Sequence, residues 1–428
     1  MTRSKLLSVN LLACVCVSLI TPLSSSVSAA DGSDSAELPA FEIGFDYTAD
    51  LLSIVDGGVE RGTPYLHLVR TEFSSDLHQL IGVPGGAFFV SSHWTSGGSP
   101  SEFAGDMQAV SSLDAHDTWK LYEAWVQQEM LDGGFSWLLG LYDLNSEFDL
   151  VDEAGLFVHA SFGIGPDLAQ SGENGPSVFP TTSVGLRLKT RPVSSVTVLL
   201  TALDGVPGDP DEHDGTHITF ESGDGLFLAG EIQFYRQSDD MFKLAAGTWL
   251  YTSRTAHLHV EVDHGEVPRS RSRGGYLLGQ FPVWSGGDSQ SIVAFSRVGM
   301  ALPEVNRLGW YAGGGVTLNN LLTSRIGNTV GLGYAAAVNG NDYKRVSEDN
   351  GSPVNDYELA LELTGRFELN QYLTLQPDVQ YSQSQLRSVD RQRAGGRSAF
   401  LAGVLVDTFW LRQVRRSIPL PRMARATA

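Results

Sequence analysis

Residues 358–368 read ELALELTGRFE, and apolar and polar side chains alternate through this stretch. In an extended chain, successive side chains point to opposite faces, so the pattern predicts a strand with one apolar and one polar face. The apolar face carries Leu359, Leu361, Leu363, Gly365 and Phe367. The polar face carries Glu358, Glu362, Thr364, Arg366 and Glu368. Such a strand separates an apolar phase from water, which favours an all-β protein.

The same two-residue period recurs along most of the chain. It is found in the segments 184–191, 226–234, 292–300, 310–319, 330–338, 373–382 and 400–410. Turn-forming pairs such as Gly133-Gly134 lie between segments and favour hairpins of antiparallel strands. Membrane barrels have short turns at one end and long loops at the other, so three longer polar connections are expected to be outer loops: 163–182, 205–225 and 264–275.

The first residues, 1–30, have the features of a cleavable secretory signal. Arg3 and Lys5 supply a positive start, residues 6–20 an apolar stretch, and residues 27–29 (VSA) a small-residue cleavage site. The apolar stretch is too short to span a membrane as a helix. Export without a helical span, followed by repeated alternating segments, predicts a transmembrane antiparallel β-barrel.

Composition restricts the chemistry of the exported chain. Both cysteines, Cys14 and Cys16, lie in the signal, so no thiol remains for disulfide or thiolate chemistry. The chain has 49 acidic and 29 basic residues, a formal net charge of −20, which argues against a nucleic-acid partner. A mean hydropathy of −0.07 does not argue against a membrane location, because a barrel presents only half of each strand to lipid.

Several motifs resemble the OprB-type carbohydrate-selective porins. In chain order they are 81–90 (IGVPGGAFFV), 120–125 (KLYEAW), 143–149 (DLNSEFD), 154–157 (AGLF), 161–166 (SFGIGP), 176–180 (PSVFP), 204–210 (DGVPGDP) and 373–378 (LTLQPD). The likeness covers roughly residues 45–410. It implies an outer-membrane barrel of about 16 strands that passes sugars such as monosaccharides by passive diffusion.

These inferences divide the chain into a signal peptide at 1–30, a short segment at 31–44, the barrel at 45–410 and a basic tail at 411–428. The tail contains five arginines and no acid, and Pro419 and Pro421 argue against its continuing the sheet. Since barrel strands end on the periplasmic side, we expect the tail to lie there, against anionic lipid headgroups or wall polymer, or to be disordered.

Two rows of polar side chains are candidates for the pore lining. A hexose presents many hydroxyl groups and a weakly apolar ring face, so a selective constriction needs charged and amide groups beside an aromatic platform. If residues 143–150 are extended, one face carries Asp143, Asn145, Glu147 and Asp149. One face of the segment 184–191 carries Arg187, Lys189 and Arg191. The alternative for the first row is a solvated strand end or loop, and the cations of the second row could pair with acids on neighbouring strands.

Two further residues, Glu123 and Trp125, share a face of their predicted strand. Trp125 is a candidate sugar platform, although packing within the lumen or a place in the aromatic girdle is as compatible with the sequence. The girdle itself is predicted from aromatic residues near segment ends: Trp94, Trp119, Trp249, Trp310, Tyr381 and Trp410.

No cofactor or metal is expected. His257, His259, Glu261 and Asp263 share a face, but nothing fixes a closed ligand geometry, and the acidic loop at 209–214 lacks the spacing of a calcium loop. No serine elbow or zinc-protease motif predicts an enzyme.

The expected partners are carbohydrate solutes, outer-membrane lipids and lipopolysaccharide, with the barrel a monomer or a homotrimer. The alternatives are a general porin without sugar preference, or a receptor or structural barrel without an open channel.

Overall fold

The computed structural model describes residues 41–236, 239–260, 267–287, 290–320, 327–383 and 398–410. The predicted signal at 1–30 and the basic tail at 411–428 lie outside these residues. No helix in the described ranges is long and apolar enough to cross a membrane.

Sixteen strands form one closed antiparallel barrel, in which β1 pairs with β18 and each other strand pairs with its neighbours along the chain. A separate two-stranded sheet, β10 with β11, lies in the connection between β9 and β12. The strands are β1 Phe41–Asp56, β2 Tyr65–Asp76, β3 Gly86–Gly97, β4 Thr118–Met130, β5 Phe135–Tyr142, β6 Ser183–Val193, β7 Val196–Asp204, β8 Leu226–Arg236, β9 Asp239–Tyr251, β10 Thr255–Ala256, β11 Arg269–Ser270, β12 Arg273–Ser285, β13 Ser291–Ala301, β14 Leu308–Asn319, β15 Gly327–Asn339, β16 Tyr357–Asn370, β17 Leu373–Ser382 and β18 Ala399–Trp410. The predicted fold class and strand number are confirmed.

Short helices occur only in connections, among the described residues. They are α1 Leu77–Ile81, α2 Pro100–Ala104, α3 Pro166–Ala169 and α4 Asn341–Asp349, with 3-10 turns at Leu144–Ser146, Asp152–Leu156 and Ala160–Phe162. Side-chain caps begin two of them: Asp76 accepts from the N–H groups of the first turn of α1, and Ser99 does so for α2.

Side chains alternate across the wall as the sequence predicts. In β16, Leu363 is 51% exposed on the lipid side, whereas Glu362 is 1% exposed on the lumen side. The exposed large apolar residues of the other strands form the lipid-facing surface. Apolar burial in lipid and polar contacts in the lumen therefore stabilise opposite faces of the same strands.

The aromatic girdle is only partly as predicted. Trp94, Trp119 and Trp310 are exposed on the outer wall, as an interfacial position requires. Trp249 is 2% exposed and packs edge-on against Tyr251 with ring centroids 6.1 Å apart. Its assignment to the girdle is wrong, because its position in β9 turns it toward the lumen.

The first strand begins at Phe41, earlier than the boundary expected at residue 45. Phe41 and Ile43 are exposed and continue the alternation of Phe45, so the pattern extends into the segment assigned to 31–44. The added residues pair with β2 as far as Phe41 with Ser75.

The two ends of the barrel differ in the length of their connections. Both β1 and β18 reach their terminal ends on the short-turn side, where β6 joins β7 and β16 joins β17 by tight turns. The opposite end carries the long connections 98–117, 143–182, 205–225, 252–272 and 340–356. In outer-membrane barrels the short turns are periplasmic, so the long connections face outward. We call residues 143–182 the constriction loop and residues 98–117 the companion loop.

Candidate functional site

The constriction loop lies inside the barrel and narrows its lumen. Phe157 and Phe162 of this loop are buried and stack with ring centroids 4.4 Å apart. They pack on Gly331 and Gly333 of β15, where an added Cβ would lie 2.8 Å from a Phe157 ring carbon at either position. Glycine is therefore required for this close approach. Residues 163–182, expected to be an outer loop, start from the outer end but fold inward, because their buried side chains contact the wall.

The row from Asp143 to Asp149 does not form a strand. Asp143 accepts a hydrogen bond from the N–H of Asn145 at 2.9 Å, and the chain then turns through Leu144–Ser146. Asn145 donates from Nδ2 to the carbonyl of Phe148 at 3.1 Å, and Asp149 has a φ of 52°. The prediction of four acceptors on one extended face is wrong, because short Asp and Asn side chains bond their own backbone and favour turns.

Two members of the cation row, Arg187 and Lys189, point into the lumen and meet the constriction loop. Arg187 Nε lies 2.6 Å from Oε2 of Glu147, and Lys189 Nζ lies 2.8 Å from Oε1. Burial alone would raise the pKa of Glu147, but the two cations outweigh it and hold that pKa below its usual value. Acid and base are thus in direct contact, and Glu147 fastens the loop to β6. Arg191 is exposed near the turn end of β6.

A second buried cation holds the loop from the other side of the lumen. Arg297 of β13 donates from Nε to Asp149 at 2.9 Å and from Nη2 to the same carboxylate at 2.8 Å, and it also pairs with Asp167. Its guanidinium lies 5.2 Å from the ring centroids of both Tyr276 and Tyr311. This arrangement, the arginine clamp, was not predicted, although Arg297 is the single charged residue of the segment 292–300.

Two glutamates of β16 hold the two inward loops to the wall. Glu358 accepts from the N–H of Met107 in the companion loop at 3.0 Å. Four residues further along the same face, Glu362 accepts from the N–H groups of Val158 at 2.7 Å and His159 at 3.0 Å in the constriction loop. Charge-assisted hydrogen bonds of this kind are strong where water is excluded. One strand therefore fixes both loops.

Glu123 and Trp125 lie in the lumen but pack against protein. Trp125 is 2% exposed, stacks on Phe89 with centroids 5.2 Å apart and donates from Nε1 to Glu123 at 3.2 Å. The same carboxylate oxygen of Glu123 accepts from the N–H of Asp143 at 3.2 Å. Of the functions left open for Trp125, the structure favours packing within the lumen, because its ring has no free face for a sugar.

Charged side chains on one side of the lumen are partly exposed. We call this surface the polar wall; its residues, from β18, β1, β2, β4 and the constriction loop, are Asp46, Arg70, Glu72, Tyr122, Asp143 and Asp407. Arg70 Nη1 lies 3.6 Å from Glu72 Oε1, and the two side chains are 14% and 24% exposed. Asp46, Tyr122 and Asp407 also lie within electrostatic range of Arg70.

Burial raises the pKa of Asp143 to about 6, and this shift is opposed by the hydrogen bond with Tyr122, the N–H of Asn145 and the charge of Arg70. Asp143 lies outside the spanning strands, at the start of the constriction loop. The charge of the polar wall therefore changes near neutral pH.

Aromatic rings lead from the polar wall to a cavity at the outer end. His93 stacks on Tyr122 with centroids 3.9 Å apart, and Phe179 lies 6.0 Å from His93 and 6.2 Å from Tyr122. Phe179 also lines a cavity of about 580 Å³ between the companion loop, the constriction loop and His213. Polar groups around this cavity include Glu102, Asp114, His116, Lys120, Gln170, Glu173 and Asn174.

The histidine row does not form a metal centre in the residues that the structure covers. His257 Nε2 bonds Ser270 Oγ at 2.9 Å, and His259 Nδ1 lies 3.6 Å from Asp349. Glu261 and Asp263 lie outside the described residues, and among those described no group of three or more His, Cys, Asp or Glu could hold a metal ion.

Known structures share this architecture. The high-pH structure of Pseudomonas putida OprB superposes with a TM-score of 0.76 at 17% identity, covering 87% of this chain and 94% of that one. Its low-pH structure gives 0.54 at 14% identity, covering 87% and 93%. The outer-membrane channel DcaP of Acinetobacter baumannii gives 0.52 at 10% identity, covering 86% and 97%. At these identities the likeness shows the fold alone.

No curated protein matches the chain by sequence. A family model does match, over residues 60–384, and its description is carbohydrate-selective porin, OprB family. This match spans well over half of the chain and includes the constriction loop and most of the wall. Together with the closed barrel and its inward loops, it shows that the chain belongs to the OprB family of outer-membrane, carbohydrate-selective porins.

Proposed function

We propose that small neutral sugars cross this porin by passive diffusion along the polar wall, reaching it from the outer cavity past Phe179. One observation carries the proposal: charged side chains that are partly exposed lie beside aromatic rings on one stretch of the described lumen wall. The partly exposed ring of Phe179 offers an apolar platform to a pyranose face, and the buried, stacked rings of Tyr122 and His93 support it from behind. The neighbouring Arg70 and Glu72 offer a donor and an acceptor to its hydroxyls.

The passage gives sugars an advantage over other solutes of similar size. A sugar that loses water in a narrow polar channel needs several replacement hydrogen bonds, and unmade bonds of buried polar groups cost about 1–3 kcal/mol each. The polar wall supplies both donors and acceptors within a few ångströms of each other. The competing function is a general porin without sugar preference, which would not need donors and acceptors placed to bind sugar hydroxyls.

The test is uptake of glucose and of a zwitterionic amino acid of similar size into liposomes that contain the full-length protein. Phe179→Ala should lower glucose uptake by about threefold, because it removes the apolar platform for the ring face. Arg70→Ala should lower it by about tenfold, because one hydrogen bond to a charged group contributes about 1.5 kcal/mol. Amino-acid uptake should change little. Arg61→Ala, at an exposed surface pair with Asp56, is the matched control. Equal effects on both solutes would show a general pore.

The proposal also covers the two ends of the chain and its oligomeric state. We propose that residues 1–30 are removed on export and that the basic tail at 411–428 lies on the periplasmic side, where both described ends of the barrel lie. The barrel would act as a monomer or a homotrimer, and no covalent chemistry on the sugar is involved. Mass spectrometry of the mature chain and light scattering of the detergent complex measure these two properties.

A further inference from the structure

Four exposed arginines lie close together at the outer end of the barrel, in a protein with a formal net charge of −20. They belong to the connection 252–272 and to the first residue of β12, and they are Arg254, Arg269, Arg271 and Arg273. We call them the arginine patch. Among the described residues, no carboxylate forms an ion pair with any of the four.

The part of the patch nearest the membrane, Arg273, borders the lipid-facing surface of the barrel. Arg273 is paired with Leu250 of β9 and shares its face of β12 with Leu277, which is exposed to lipid. On the next strand, Met300 is exposed opposite Gly275 and pairs in turn with the girdle residue Trp310. At about 3.3 Å per residue, Arg273 lies about 7 Å beyond Gly275, just above the apolar zone. This is the depth of lipid headgroups.

The other arginines continue outward from that point on an ordered scaffold. Ser272 is buried and donates to Asn306 Oδ1 at 2.7 Å, so Arg271 and Arg273 on either side of it are turned to the outside. Arg271 donates from Nε to the carbonyl of Thr252 at 3.0 Å. Its two terminal nitrogens have no hydrogen-bond partner among the described residues, so they can bind a ligand.

The small sheet of β10 and β11 positions the remaining two arginines, Arg254 and Arg269. Arg269 pairs with Ala256 across this sheet and donates from Nη2 to the carbonyl of Arg254 at 2.6 Å. The guanidinium of Arg269 is thereby held against the backbone of Arg254, so two residues of like charge are neighbours. Like charges kept together on an ordered, exposed element are typical of a surface that binds an anion.

We infer that the arginine patch binds the phosphate groups of a phosphorylated glycolipid in the outer leaflet, the class of lipid to which lipopolysaccharide belongs. Guanidinium groups bind phosphate with paired hydrogen bonds; the patch presents Arg273 at headgroup depth and the other three arginines further outward. The lipid chains would lie against the exposed apolar residues below Arg273. This surface is separate from the sugar passage and does not depend on the proposed function.

The experiment measures binding of fluorescent lipid A, with and without its phosphates, to the full-length protein in detergent. Arg271→Ala with Arg273→Ala should weaken binding of the phosphorylated lipid by about tenfold or more, since each hydrogen bond to a charged group contributes about 1.5 kcal/mol or more. Arg61→Ala with Arg345→Ala removes two exposed arginines elsewhere and should leave binding unchanged. Wild-type affinity should fall steeply with salt.

A second variant keeps the test decisive if the alanine protein folds poorly. Arg271→Lys with Arg273→Lys retains both charges but loses the paired geometry, so it should insert normally and bind with intermediate affinity. Equal binding of phosphorylated and dephosphorylated lipid would overturn the inference, as would wild-type affinity in both double variants. Displacement of the lipid by an equal concentration of inorganic phosphate would show a soluble anion as the ligand, and this too would overturn it.

Discussion

Arg297 illustrates how one residue determines the width of the passage. Its guanidinium is buried between Tyr276 and Tyr311 and bonded to Asp149 and Asp167, which come from two separate parts of the constriction loop. Gly165 makes room for it, because an added Cβ there would lie 2.0 Å from its Cζ. The clamp thus orders the loop through charge, packing and the absence of a side chain at one position.

Replacing Arg297 with methionine should therefore widen and destabilise the constriction. Removing one partner of a buried ion pair costs about 3–5 kcal/mol, mostly because the remaining carboxylates are left buried and unpaired. We expect a higher single-channel conductance, a lower apparent glucose affinity in current-block measurements, and a lower unfolding temperature. Arg297→Lys retains the charge and should recover part of the conductance change. A conductance equal to wild type in R297M would show that the loop is held without the clamp.

At the scale of elements, strand β16 was predictable and the constriction loop was not. The alternation in 358–368 depends only on neighbours two residues apart, so it can be recognised in the sequence. The loop takes its shape from partners far along the chain: Asp149 and Arg297 are 148 positions apart, and Val158 and Glu362 are 204 apart. The acidic residues of the loop were predicted as candidates for the pore lining, but the turn in which they lie and the partners that they bind depend on tertiary contacts.

The two glutamates of β16 should have separable effects, because each holds a different loop. Glu362→Gln should loosen the constriction loop and increase open-channel current noise, since an amide oxygen accepts the same N–H groups more weakly than a carboxylate. Glu358→Gln should act on the companion loop, with a smaller effect on glucose affinity. Hydrogen exchange at 143–182 and at 98–117 measures the two effects independently. Identical exchange changes in both variants would contradict separate anchoring.

For the whole molecule, the sequence predicted the closed barrel, its membrane and its solute, and left the position of the passage undetermined. The reason is physical: the lumen is filled by loops, and which wall stays open depends on how they pack. The open side is acidic, because Asp46, Glu72, Asp143 and Asp407 outnumber Arg70 on the polar wall. Acidic passages attract cations and repel anions.

The barrel should therefore prefer cations, and this preference should depend on pH. With the pKa of Asp143 raised to about 6, this residue is charged at pH 8 and becomes protonated as the pH falls through 6. The passage then loses one negative charge, so the reversal potential in a KCl gradient should move toward the nonselective value between pH 8 and pH 5. Asp143→Asn should abolish most of the change, whereas Asp356→Asn, at an exposed pair with Lys344, should not. Anion preference at pH 8 would contradict the assignment of the passage.

The pairing of β1 with β18 has a consequence for assembly. Thr48 and Asp407 are hydrogen-bonded at 3.2 Å although 359 positions separate them in the chain. Asp46 and Asp407 of the polar wall lie on either side of this seam. The polar wall, and with it the proposed sugar passage, is therefore incomplete until β18 pairs with β1. A barrel that has not closed exposes the unpaired N–H and C=O groups of its two edge strands. We expect proteases or chaperones to recognise these edges.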